Sequence, residues 1–150
     1  MDNTAVPSTY AEQALRKAVE IDPKNGYHSI ALGVALCGLD KNEEAIQRLE
    51  YGIHVEGRRS ELLNWLGNAY LGQGIHEKAI DAYQQAINLN SDNAYPHNGL
   101  GNVYYTQDEY EEATSAYQQA MALDPKSAPP HNGLGNVYYD QGRYEEAIPA

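Results

Sequence analysis

Along this 150-residue chain the apolar positions fall three and four apart, the spacing that gathers side chains on one face of an α-helix. Ala79, Tyr83, Ala86 and Leu89 form one such block, and Ala113, Tyr117, Ala120 and Leu123 form another, 34 residues on. One step earlier stand Ala45, Leu49, Gly52 and Val55; the N-terminal segment joins with Ala11, Leu15, Ala18 and Ile21, and Ala147 opens a last copy. A second series interleaves with the first. His97-Asn98-Gly99-Leu100-Gly101-Asn102-Val103-Tyr104-Tyr105 recurs unchanged from His131 to Tyr139. It is echoed earlier by Asn64, Leu66, Gly67, Asn68 and Tyr70, and more faintly by Leu32, Gly33 and Leu36. Each 34-residue period therefore predicts two helices.

Turn signals separate them: Gly38 and Asp40, Gly72 and Gly74, Gln107 and Asp108, Gln141 and Gly142. Asp40 with Glu43, and Asp108 with Glu111, have capping-box spacing. The acidic pairs Glu43–Glu44, Glu111–Glu112 and Glu145–Glu146 complement the positive end of each second helix. Pro23 and Pro125 are expected to end helices beside Asp22 and Asp124. Gly33, Gly67, Gly101 and Gly135 recur at one phase, as do Ala45, Ala79, Ala113 and Ala147. A mid-helix glycine costs about 1 kcal/mol against alanine, so its recurrence predicts close contact between paired helices.

The expected layout is one array over residues 1–150. A lone helix covers about 8–21, full hairpins cover 26–59, 60–93 and 94–127, and a truncated repeat covers 128–150. Solenoids usually close with polar caps. None is legible here, which suggests a piece of a longer array or ends that pair between molecules.

The pattern resembles the tetratricopeptide repeat family on Leu100, Gly101 and Tyr104 in the first helix, and Ala113, Tyr117, Ala120 and Pro125 in the second. It departs where Ser29, Leu63, His97 and His131 hold the family's usual Trp position, and where Gly57 and Ser91 replace the usual Pro. The resemblance implies an all-α, right-handed superhelical solenoid of antiparallel helix pairs whose first helices line a concave wall. It makes Asn64 and Asn68, Asn98 and Asn102, and Asn132 and Asn136 the inward residues. Each pair is spaced i, i+4, so both amides share a face about 6 Å apart along the helix. An amide carries an acceptor and two donors, which suits the C=O and N–H groups of an extended backbone. The resemblance implies that use; the residues alone leave open a structural role, with the amides bonding neighbouring groups. Tyr105 and Tyr139 are expected near the same wall, while Tyr27 and Tyr95 flank it. Tyr83, Tyr104, Tyr117 and Tyr138 occupy core phases.

Composition narrows the partners. Lys plus Arg number 10 against 21 Asp plus Glu, a formal charge of -11, which repels nucleic acid and anionic membrane surfaces. No Lys or Arg stands among the inward positions Ile30, Val34 and the six asparagines, so acidic tails are disfavoured and a neutral or basic segment is expected. The single Cys37 forms no intramolecular disulfide and no Cys-based zinc site; with no secretory pattern in Met1–Tyr10, a cytoplasmic protein is expected. No run of residues is apolar enough to span a membrane. Gly99-Leu100-Gly101 lacks the third glycine and the preceding strand of a dinucleotide fingerprint. The histidines lack ligand spacing, and Cys37 reads as a small buried hydrophobe. The expected protein is thus a protein- or peptide-binding scaffold without cofactor or catalysis. Two alternatives stand beside it: a substrate-docking or regulatory arm of a larger enzyme, and a self-assembly element using open repeat ends.

Overall fold

The computed structural model describes residues 7–147. Residues 1–6, part of the N-terminus expected to lack a secretory pattern, and 148–150, the end of the truncated repeat, lie outside the described residues. Helices account for nearly everything described: α1 (Pro7–Ile21), α2 (Gly26–Cys37), α3 (Asn42–Glu56), α4 (Ser60–Gly72), α5 (His76–Leu89), α6 (Ala94–Thr106), α7 (Tyr110–Leu123), α8 (Ala128–Asp140) and the single turn α9 (Tyr144–Ala147).

Contacts between helices follow the chain. The tight pairs are α2 with α3, α4 with α5, and α6 with α7, and each pair leans on the next. Beyond sequence neighbours, backbones approach closely only along the succession α2, α4, α6 and α8; those of α3, α5 and α7 do not approach one another. The first helices therefore crowd on the inside of the curve and the second helices spread on the outside. This is an all-α, right-handed superhelical solenoid.

The core repeats with the sequence. Ala45, Ala79 and Ala113 are fully buried, as are Leu49, Tyr83 and, all but completely, Tyr117. Tyr83 lies between two glycines: a Cβ on Gly67 would come within 2.6 Å of its ring, and one on Gly99 within 2.4 Å. Tyr117 sits in the same way between Gly101 and Gly133. Gly33 likewise clears Leu49, its added Cβ falling 2.8 Å from that side chain. Gly135 has only a distant backbone oxygen at 3.7 Å, because its partner helix is a single described turn.

The capping-box expectation is corrected. Lys41 and Glu109 occupy the N-cap places of α3 and α7, and neither helix start has a side-chain cap bond. Asp40 and Asp108 take φ of 55° and 60°, matching Gly74 at 71° and Gly142 at 72° one repeat along. These four are the left-handed residue of each intra-hairpin turn. The next amide then bonds back: Lys41 N to Leu36 O at 3.0 Å, and Glu109 N to Tyr104 O at 2.9 Å. Asp tolerates this backbone region better than most non-glycine residues, so turn geometry decides its place. True caps are Asn25, which accepts from His28 N, and Asn93, which accepts from Tyr95 N.

Candidate functional site

The inner wall is built from α2, α4, α6 and α8. Asn64, Asn68, Asn98 and Asn102 are half-buried on α4 and α6, while Asn132 and Asn136 are exposed on α8. The exposure at α8 follows from the short α9, since no full second helix covers it among the described residues.

Each half-buried amide has a definite orientation. The Tyr83 hydroxyl donates to Asn68 Oδ1 at 2.7 Å, and the Tyr117 hydroxyl donates to Asn102 Oδ1 at 2.8 Å. Both hydroxyls are desolvated, which raises their pKa, to about 12 for Tyr117. A buried hydroxyl has one proton and needs an acceptor for it, so the carbonyl side of each amide faces the core. Asn64 and Asn98 bury Oδ1 without a partner. In all four, then, the group available on the inner wall is the Nδ2 donor. Asn68 and Asn102 thus have the structural role left open above, each accepting a core tyrosine hydroxyl.

Tyr105 donates to Asp140 Oδ2 at 2.6 Å across the repeat boundary and meets the Tyr110 ring at 6.2 Å. That carboxylate pushes its pKa up to about 12. Tyr139 is 64% exposed. Tyr27 and Tyr95 are also exposed, and the Arg59 guanidinium stands 5.6 Å from the Tyr27 ring centroid.

A cleft of about 400 Å³ opens on this wall, lined by Glu61, Asn64, Trp65, Asn68, Asn93 and Tyr95. Glu61, Asn64, Trp65 and Asn68 form one stripe of α4 at i, i+3, i+4 and i+7; Asn93 and Tyr95 come from the start of α6, tied to α4 by Asn93 Nδ2 donating to Ser60 Oγ at 2.9 Å. Sequence reasoning missed Trp65 and Glu61. The signal was present: Trp65 stands where the next two repeats have Gly99 and Gly133, and it is the chain's single Trp. Leu49 precedes Trp65 as Tyr83 precedes Gly99, so a smaller outer side chain is matched by a larger inner one.

A larger cleft, about 540 Å³, lies on the outer side between α3 and α5. Three of its charged groups, Glu50, Lys78 and Asp81, are engaged internally, Asp81 accepting from Gln85 Nε2 at 2.6 Å. Glu50 accepts from the Tyr70 hydroxyl, whose pKa desolvation and that carboxylate raise, and Lys78 stands 5.4 Å from the Tyr70 ring centroid. Among the described residues no group of His, Cys, Asp and Glu could hold a metal, and no helix is long and apolar enough to cross a membrane. Burial pushes the Cys37 thiol up to about 11, far from a reactive thiolate. His97 is half-buried, with its pKa lowered by desolvation.

The sequence model of the TPR repeat matches residues 67–108 and 101–142, together just over half of the chain. Among solved structures, MamA superposes with a TM-score of 0.76 at 28% identity, over 91% of this chain and 80% of that one. YrrB, a TPR protein with an unusual peptide-binding site, superposes at 0.69 with 20% identity, over 94% of this chain and 73% of its own. Pseudomonas aeruginosa pilF gives 0.76 at 21% identity, over 93% and 64%. At such identities the last two speak for the fold alone. No curated protein gives a significant match.

Proposed function

This chain belongs to the tetratricopeptide repeat family, and on that premise we propose that it is a non-enzymatic scaffold holding an extended, neutral or basic polypeptide segment against its asparagine-lined inner wall. The supporting observation is the orientation of the amides. Asn64, Asn68, Asn98 and Asn102 keep their carbonyl oxygens inward and present Nδ2 donors at helical and repeat spacing. A row of donors suits the carbonyl oxygens along one edge of an extended backbone. Asn132 and Asn136 continue the row on α8, with Tyr105 and Tyr139 beside it as contact surface. Peptide binding in YrrB is a property of that protein, and it agrees with this use of the fold.

The test uses variants that leave the core intact. Asn64→Ala and Asn98→Ala remove amides whose buried oxygens have no partner, so the fold loses nothing by hydrogen bonding. Titration against an array of extended synthetic peptides should show retained helicity with weakened binding. Each lost bond contributes about 1 kcal/mol, so both together weaken binding by roughly thirtyfold. Undiminished binding by the double variant would assign these amides to helix stacking alone.

A further inference from the structure

Resting on that reading of the groove, we propose that the cleft between α4 and the start of α6 is a subsite for one arginine side chain of the bound segment. Its lining combines two aromatic residues, Trp65 and Tyr95, with one carboxylate, Glu61, which is the acceptor for a guanidinium; Asn64 and Asn68 turn donors toward the backbone of the segment, and Asn93 is engaged with Ser60 and Tyr95. No Lys or Arg lines it, in a chain of formal charge -11. Aromatic faces with a nearby carboxylate are the surroundings a guanidinium prefers, since it stacks on rings and gives up hydration more readily than an ammonium. A volume of about 400 Å³ is ample for one such side chain.

The chain supplies a precedent within itself. Tyr27 holds the place two repeats before Tyr95, and the Arg59 guanidinium stands 5.6 Å from its ring centroid. The position two repeats after Arg59 is Ser127, which lines a separate small hollow with Tyr95 and Asn98 on the α8 side of that ring. None of the cation contacts among the described residues reaches Tyr95, which is 69% exposed. The repeat thus reproduces the tyrosine without its internal guanidinium, and beside it sets Trp65 where later repeats have glycine. Tyr27 shows that a tyrosine at this place in the repeat takes a guanidinium over its ring; at Tyr95 the partner supplies one, from the side where Glu61 and Trp65 stand.

Trp65 is the chain's single Trp, so its fluorescence reports entry directly. The probes are capped heptapeptides of Ala and Ser with a central Arg, or with citrulline, Lys or Glu in its place. The Arg peptide should change the emission saturably. Citrulline keeps the shape and loses the charge, and should bind about tenfold more weakly. Lys should fall between them, and Glu should give no response. Glu61→Gln should weaken the Arg peptide about fivefold and leave citrulline unchanged; Tyr95→Ala should weaken the Arg peptide comparably. Equal affinities for Arg and citrulline, or an unchanged Arg affinity in both variants, would overturn the subsite. Asn98→Ala, outside the cleft, separates the two readings. If it leaves all four peptides unaffected while Arg still exceeds citrulline, the amide row fails and the subsite stands; if it weakens all that bind and Arg equals citrulline, the row stands and the subsite fails.

Discussion

At the scale of single residues, the pairing of Tyr83 with Asn68 and of Tyr117 with Asn102 links the core to the groove. Each tyrosine fills a slot between two glycines and ends in a hydroxyl just below the inner wall. The asparagine above satisfies that hydroxyl and is oriented by it. Replacing the asparagine therefore has a cost that is unrelated to any ligand. Asn68→Ala should destabilise the protein by about 1–3 kcal/mol, because a desolvated hydroxyl is left without an acceptor. Adding Tyr83→Phe should recover most of this, and a double-mutant cycle in thermal melts would measure the coupling. Additive losses would mean the bond contributes nothing. The Asn-to-Ala exchanges at 64 and 98 orphan no partner, which is why they are the cleaner probes of binding.

At the scale of elements, α1 is the helix held most by charge. Arg16 bonds Glu44 at 2.6 Å and Glu12 at 2.8 Å, and Lys41 bonds Glu12 at 2.8 Å. The network clamps α1 onto the turn before α3 and onto α3 itself. Glu12 is only 5% exposed. Lys41 and Arg16 hold its carboxyl below the usual carboxylate value of 4.5, and Arg16 does the same for Glu44. A depressed folded-state pKa gives stability that is present above the unfolded value and lost as pH falls through the folded one. The melting temperature should therefore fall as pH drops below the ordinary carboxylate value of 4.5, and Arg16→Met should flatten that slope while lowering stability at neutral pH. An identical slope in the variant would place the acid sensitivity elsewhere. The turns teach a different lesson about elements. Asp40 and Asp108 carried the spacing of a helix cap, yet a short antiparallel connection demands one left-handed residue, and they stand where other repeats have glycine.

At the scale of the whole molecule, stacking converts a local pattern into a surface. Amides one repeat apart become neighbours only because α2, α4, α6 and α8 touch in succession while the outer helices spread. The formal charge of -11 acts over this surface as a field that favours basic segments. Binding of the Arg heptapeptide should weaken as ionic strength rises from about 0.05 to 0.5 M, over which the Debye length falls below 5 Å. The citrulline peptide should show little such dependence. Salt-independent binding of the Arg peptide would remove the electrostatic part of the argument.

By itself the sequence determined the all-α repeat architecture, because helical periodicity, recurrent glycines and alanines, and turn residues are local properties that recur with one period. It also singled out the asparagines as a row, since a repeated polar residue at a fixed phase is visible without coordinates. The tertiary structure decided how two of those amides are turned, because the Tyr83 and Tyr117 hydroxyls reach Asn68 and Asn102 from the partner helix. It also decided the cleft, where Glu61 and Trp65 meet Asn93 and Tyr95 across two repeats. A hydrogen-bond partner or an opposite wall supplied by another helix has no fixed signature along the chain, and Trp65 broke the repeat without revealing what it faced.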